Sequence, residues 1–511
     1  MCNFAGVFAE NMKYQKMTSY RHILKYTSLF GSVQVLIILI GLVRNKVMAV
    51  LLGVVGVGFN SLMMSMQTFA YQATNLGISF GAVPRLSEYY EQGHQRKLMY
   101  YILVIRLWSV IAAGLGLLFC LAVSPFVNSW SFTWGNHTLH YAMLGLSVAM
   151  LALTGGETAI LKATRQLGKL VRLQIISAIV SVILSIPLYF IWGQSGVVPA
   201  IVLIAFATMV ATMSYSYRCY PLRLRFKKSL FYQGAGMIRL GLAFVLAAAI
   251  GSASEMLIRS FLNVEGGLNS VGLYNVGYML TITYAGMVFA SMENDYFPRL
   301  SAVSKDIAAT NEMVNKQIEV SLLLLAPMLV GLLMFLPVLV PLLFSDQFVP
   351  VVTMAQVAVL AMYFKVLTMP VSYVTLARSY PMSFLFLETI YFVALIVAIV
   401  VGYTSWGIWG TGVAIVAAHA CEYLTTTVYA YWKYDYRCTW KIGRYAFLQM
   451  LIGGTAYAVS VLFDGWAYWM AEAALTIVST AYSVSVLHSK TRLWESLKRK
   501  LTHQAKPSNN D

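Results

Sequence analysis

Charge is scarce in this chain: Asp, Glu, Lys and Arg together make up 11% of its 511 residues. Soluble globular domains carry about 25% charged residues, so that class is excluded. Acidic residues are scarcer still, 19 against 36 Lys and Arg, which leaves a formal net charge of +17. Cysteine is nearly absent. Five in the whole chain cannot make a disulfide framework, and Cys120, Cys219, Cys421 and Cys438 fall at no metal-ligand spacing. No P-loop, Gly-rich phosphate loop or Asp-x-Asp pair is present, which excludes nucleotide hydrolysis by this chain. The first residues lack the charged, apolar and cleavage-site regions of a signal peptide. Met17 opens an alternative start, and residues 1–16 read as a dispensable tail.

What fills the chain instead is apolar: 59% of residues are hydrophobic and 14% aromatic. A membrane-spanning helix needs about 20 such residues in a row, and about fourteen stretches meet that length rule. The first six centre near Ile38, Met66, Ala113, Met150, Ile183 and Ile204. The next six centre near Val245, Ile282, Val330, Ala361, Leu395 and Val416, and the last two near Ala456 and Thr476. Of the 36 basic residues, 31 fall in the two termini and in alternate loops. By the positive-inside rule both termini are expected on the cytoplasmic side. The same distribution explains the net charge as a collar against anionic headgroups. No aromatic-plus-basic platform suggests nucleic acid as a partner.

An internal repeat runs through the apolar segments. Val57-Gly58-Phe59-Asn60 is followed by Pro84-Arg85-Leu86-Ser87, and Val271-Gly272-Leu273-Tyr274 by Pro298-Arg299-Leu300-Ser301. The glycine-to-proline distance is 26 residues in both copies, at an offset of 214. Six spans separate the copies, so both have the same orientation, an arrangement used by transporters with the substrate path between the halves. The expected organisation is a cytoplasmic N-terminal tail (1–25), an N-lobe of six helices (26–235) and a C-lobe of six (236–435). An extra helix pair (436–490) and a basic cytoplasmic tail (491–511) complete it. The expected fold class is therefore an all-α integral membrane protein, with two six-helix lobes in parallel pseudo-twofold repeat around a central cavity plus a C-terminal helix hairpin.

Two stretches resemble a known family. Arg44-Asn45-Lys46-Val47-Met48-Ala49-Val50-Leu51-Leu52-Gly53, followed by Gly56-Val57-Gly58, looks like the first-helix signature of bacterial polysaccharide flippases. These are the O-antigen and capsule translocases of the multidrug/oligosaccharidyl-lipid/polysaccharide (MOP) superfamily. Asp295-Tyr296-Phe297-Pro298-Arg299-Leu300-Ser301 resembles the motif that follows their eighth helix. The resemblance implies alternating access in the bacterial inner membrane. Its cargo would be an undecaprenyl-diphosphate-linked oligosaccharide moved from the cytoplasmic to the periplasmic leaflet. It also implies a polymerase and a chain-length regulator of the same pathway as partners, and no cofactor beyond a coupling proton or sodium ion. The lipid II flippase of the superfamily keeps further arginines, and the corresponding positions here are Ile38, Tyr71 or Gln72, and Gly277 or Tyr278. That lipid II reading and a drug/cation antiporter remain as alternatives. A membrane-embedded polymerase or ligase is a more distant one, because the chain has no large extramembrane loop to hold the chemistry.

Ionisable groups inside the membrane cost about 2.5–3.5 kcal/mol each on insertion scales, which makes each a functional candidate. Arg44, Lys46 and Lys365 are the candidate substrate-binding cations, suited to a diphosphate or a sugar acid. Arg44 and Lys46 stand about 200° apart on a helix, so they serve one groove only if it unwinds. Glu388 and Glu422 are the candidates for ion coupling, the latter one turn after His419. Glu293 and Asp295, with Arg85 and Arg299, are candidates for a cytoplasmic gate. Glu255 and Arg259 read as a local i, i+4 pair, and Arg106 as a charge near the cytoplasmic collar.

Overall fold

A computed structural model describes the backbone of residues 4–132, 135–221, 228–283, 286, 296–378 and 380–491, with side chains described from residue 36 onward except at 228, 229, 240, 242–244, 490 and 491. Among the described residues every regular element is a helix. Nine helical stretches are long and apolar enough to cross a membrane, or ten when Asp346–Val359 and Ala361–Ala377, bent by 42°, are taken as one span. Four of these stretches contain a glycine break: Gly53, Gly193, Gly267 and Gly407. Division at those breaks gives fourteen helical segments among the described residues, the number of apolar stretches read from the sequence. The chain is a multi-pass membrane protein. Helices are the form lipid enforces, because each satisfies its own backbone groups.

The breaks carry the repeat. Gly53 (φ 63°, ψ −167°) and Gly267 (φ 70°, ψ 179°) lie 214 residues apart and share one conformation. Gly193 (φ 54°, ψ −133°) and Gly407 (φ 62°, ψ −144°) are also separated by 214. A side chain in this region of positive φ costs roughly 1–3 kcal/mol, so these four positions require glycine for conformational reasons. The offset first seen in two tetrapeptides thus governs backbone geometry along most of each copy.

The chain forms two compact units. The first comprises Met1–Leu52, Ala70–Asn128 and Asn136–Val245. Its core gathers Leu86, Leu98, Ile102, Ile105 and Ile160. The second comprises Gly53–Phe69, Ser129–Gly135 and Leu246–Asp511. There Val330, Leu333 and Ala456 pack as one cluster, and Tyr274, Tyr363 and Phe348 are fully buried. The helix carrying Arg44 begins at Phe4, inside the stretch read as a tail.

Within the second unit, repeat-related residues meet one another. A Cβ on Gly58 would collide with the Leu268 carbonyl oxygen and lie 2.9 Å from the Gly272 nitrogen. A Cβ on Gly272 would collide with the Val54 carbonyl oxygen. Since Val54 and Leu268 are themselves repeat mates, the crossing is reciprocal. One step further along, Ser61 Oγ donates to Asn275 Oδ1 at 2.7 Å, again between mates 214 apart. Helices in lipid gain little from apolar burial against each other, so close backbone approach at small residues supplies the contact. Gly58→Ala is expected to force the two backbones apart and cost about 1–3 kcal/mol, the usual range for overpacking. Gly114→Ala, where a Cβ meets nothing within 4 Å, is the control, and thermal unfolding in detergent compares them. Equal midpoints for the two variants would contradict the close crossing.

Candidate functional site

The helix pair within Pro381–Tyr434 turns back on itself at Gly407. A Cβ on Gly402 or on Gly410 would strike the backbone of the other, which allows the two arms to run close. Each arm presents two polar residues three apart, hence on one face: Glu388 with Tyr391, and His419 with Glu422. Counted from Gly407, Tyr391 and Glu422 stand at similar depth. Lys365 arrives from the neighbouring helix Ala361–Ala377.

These groups form one network. Lys365 Nζ donates to Glu422 Oε1 at 3.0 Å. Glu422 Oε2 lies 2.7 Å from His419 Nδ1, and His419 Nε2 lies 3.3 Å from the Tyr391 hydroxyl. The Tyr391 and His419 rings stack at 5.0 Å, while Lys365 Nζ sits 5.5 Å from the Tyr391 ring centre. Glu388 is within electrostatic reach of both Lys365 and Glu422. The side chains of Glu422 and His419 are only 6% and 2% exposed, whereas that of Lys365 is 31% exposed. The cation therefore has one side in the network and one side open.

The network extends through tyrosine. Tyr278 is in electrostatic reach of Glu422 and also of Glu255 and Arg259, and it lies 5.7 Å from Tyr274. Glu255 and Arg259 form the i, i+4 pair read from the sequence, at 3.1 Å. Arg259 also donates to Ser61 Oγ at 2.8 Å, which donates onward to Asn275. The sequence-derived candidates Lys365, Glu388 and Glu422 are brought together here. The sequence marks His419 only as a neighbour of Glu422 and Tyr278 only as a position without an arginine, and nothing in it separates Tyr391 from the other tyrosines among 32. The i, i+3 spacing of 388/391 and 419/422 about Gly407 was the available signal.

Arg44 and Lys46 lie in the first unit, both partly buried, on helical backbone that continues unbroken to Gly53. No unwinding brings them to one face. Arg44 Nε is buried and meets no hydrogen-bond acceptor among the described residues. Tyr189 lies within reach of the Arg44 charge.

Arg106, a charge near the cytoplasmic collar by its sequence position, is buried in an ion pair. Its side chain is 4% exposed and grips Glu157, equally buried, through Nε–Oε1 at 2.8 Å and Nη2–Oε2 at 3.2 Å. It also donates to the carbonyls of Tyr220 at 2.8 Å and Pro221 at 3.2 Å. Ser216 Oγ donates to Glu157 Oε2 at 2.6 Å, and the guanidinium stands 4.6 Å from the Tyr217 ring centre. The pair ties three helices together. Counting turns from the collar gives the depth of a residue but not which neighbour it faces.

The gate acids Glu293 and Asp295 lie outside the described residues. Arg85 is exposed, with Nε donating to Tyr89 Oη at 3.2 Å, and Arg299 is exposed in the second unit. Glu472 is fully buried, and among the described residues neither carboxyl oxygen has a hydrogen-bond partner. No group of three or more His, Cys, Asp or Glu among the described residues is placed to hold a metal ion.

A helical membrane fold with glycine breaks repeated at an offset of 214 and a charged network within its helices can be compared with known folds. The chain has the fold of the MOP-superfamily transporters. It aligns with an inward-facing multidrug resistance MATE family transporter of that superfamily at a TM-score of 0.65 and 14% identity, covering 77% of this chain and 94% of the other. With the lipid II flippase MurJ in an inward closed conformation the TM-score is 0.68 at 13% identity, covering 90% and 99%. With a Vibrio cholerae MATE transporter it is 0.53 at 16%, covering 80% and 94%. Residues 115–353 match the family described as polysaccharide biosynthesis protein. No curated protein sequence matches the chain. The resemblance read from the two motifs is borne out in these terms.

Proposed function

We propose that this chain is a flippase for an undecaprenyl-diphosphate-linked oligosaccharide, an O-antigen or capsule repeat unit. It moves its cargo from the cytoplasmic to the periplasmic leaflet of the bacterial inner membrane by alternating access, with both termini cytoplasmic. The observation that carries the reading is the match of residues 115–353 to polysaccharide biosynthesis proteins, on a chain whose fold is a transporter fold. The first-helix motif around Arg44 supports the cargo class. In the proposed cycle the N-lobe and C-lobe rock about the substrate. Arg44 offers its planar donors to phosphate oxygens, with Lys46 as a second cation.

Coupling is assigned to the Lys365–Glu422–His419 network. A buried carboxylate shared between a lysine and a histidine has two ways to be satisfied, so proton or sodium exchange at Glu422 can release Lys365 towards an anionic cargo. Glu388 supplies the alternative carboxylate. The lipid II reading comes second, since Ile38, Tyr71, Gln72, Gly277 and Tyr278 supply no further arginine.

The decisive experiment is a deletion strain examined for undecaprenyl-diphosphate glycan accumulating on the cytoplasmic face. Arg44→Ala in that strain is expected to reach normal protein levels yet display no surface polysaccharide, while Arg44→Lys keeps the charge and restores a fraction. Full display by Arg44→Ala at normal protein level would remove Arg44 from the site. Accumulated lipid II in place of glycan would favour the second reading.

A further inference from the structure

At the open end of the helix pair that turns at Gly407, away from the Lys365 network, a second group of cations surrounds a cavity. Its volume is about 390 Å³, and Lys305, Arg378, Lys433, Tyr380 and Tyr434 contribute to its lining. Two of the cations are held on aromatic faces. The Arg378 guanidinium is 5.2 Å from the Tyr434 ring centre, and Lys433 Nζ is 5.0 Å from that of Tyr380 and 5.2 Å from that of Tyr429. Lys433 also donates to Ser383 Oγ at 3.0 Å and to Tyr429 Oη at 2.8 Å. Tyr380 and Tyr434 lie 6.1 Å apart and brace each other.

Counter-charge is missing from this cavity among the described residues. None of the three cations makes an ion pair with a described carboxylate. The two nearest acids in sequence are engaged elsewhere. Asp306 caps its helix by accepting from the backbone N–H groups of Ala308 and Ala309, and Asp435 accepts from Arg437 Nε. Arg378 Nε is shielded from solvent and donates to no described acceptor. An ordinary collar lysine or arginine extends into water beside headgroups. Here Arg378 is oriented by a ring and Lys433 by rings and hydroxyls, with the exposed Lys305 beside them, around a concavity within the usual volume range of small-ligand pockets, about 300–1,000 Å³. Cation–π contacts position a charge without neutralising it, and a guanidinium fork matches the oxygens of a phosphate group. Basic pockets at the ends of membrane helices bind phosphate headgroups by this chemistry.

We propose that this cavity binds a phosphate-bearing anion, as a phosphodiester or diphosphate group held between Arg378, Lys433 and Lys305. The site stands apart from the proposed coupling network and does not depend on which cargo the protein carries.

Full-length protein in phosphatidylcholine nanodiscs is titrated with inorganic diphosphate and with farnesyl diphosphate. A parallel sample is reconstituted with phosphatidylglycerol, and native mass spectrometry measures the lipid retained. Arg378→Gln with Lys433→Gln is compared with the charge-conserving pair Arg378→Lys with Lys433→Arg. At least a tenfold loss of binding is expected in the glutamine pair, with the charge-conserving pair close to wild type. Loss of the two diphosphates identifies a diphosphate group as the ligand, and loss of phosphatidylglycerol retention alone identifies a lipid headgroup. Either supports the site. Equal binding by the wild type and the glutamine pair, or no binding of any probe by the wild type, overturns it. If the glutamine pair does not fold, Lys305→Gln measured against the same three probes makes the same decision.

Discussion

A Glu422→Gln chain is expected to lose transport by roughly 60- to 300-fold at normal protein level. Glutamine keeps the size of the side chain and removes its charge. Lys365 then loses the carboxylate at 3.0 Å and His419 the one at 2.7 Å. An uncompensated charge at this depth costs about 2.5–3.5 kcal/mol, and each 1.4 kcal/mol is about a factor of ten, which sets the range. The loss has two separable origins. If the pair only holds the helices in place, removing both charges with Lys365→Met and Glu422→Gln restores transport. If Glu422 exchanges the coupling ion, the double variant folds but does not transport, and the double-mutant cycle separates the two outcomes. Flipping measured in proteoliposomes with and without an imposed proton or sodium gradient checks the assignment. Wild-type, gradient-driven flipping by Glu422→Gln would remove that residue from coupling.

The second large effect belongs to Arg106. Arg106→Met is expected to destabilise the protein by about 3–5 kcal/mol, because it leaves Glu157 buried without its partner. The carbonyls of Tyr220 and Pro221 lose their donor in the same step. A polytopic protein with a margin of this order fails to accumulate, so the phenotype is absence of folded protein. Changing both partners, Arg106→Met with Glu157→Leu, removes the stranded charge and should recover much of the loss, since apolar replacement of a buried pair is often neutral or better. Size-exclusion profiles and unfolding midpoints in detergent decide the matter. A wild-type midpoint for Arg106→Met would show the pair to be dispensable. Arg44→Ala should behave oppositely, with normal midpoint and lost function, and that contrast distinguishes a structural cation from a functional one.

Much of the fold was legible in the sequence. Lipid requires long apolar runs and self-satisfied backbone, so span number and helical class follow from local composition. The repeat was legible for a related reason. Gly58 and Gly272 sit where two backbones cross, and no residue with a Cβ fits without displacement, so the glycines survive at a fixed spacing in both copies. Candidate site residues were legible only as a set. Lys365, Glu388 and Glu422 stood out as charges in apolar stretches, but one was read as a substrate ligand and two as coupling groups. The structure joins Lys365 to Glu422, 57 residues away, with Glu388 in electrostatic reach of both.

Composition, charge distribution and glycine spacing by themselves determined that this is a multi-pass helical membrane protein whose glycine breaks recur at an offset of 214. These are properties of single helices and of the solvent around them. Tertiary structure alone decided which charge meets which: Lys365 with Glu422, Arg106 with Glu157, and Arg378 and Lys433 on their tyrosines. Partner choice depends on how each helix is rotated about its axis and which neighbour it packs against. No local pattern encodes that rotation, because it is the joint solution of all the helix contacts at once.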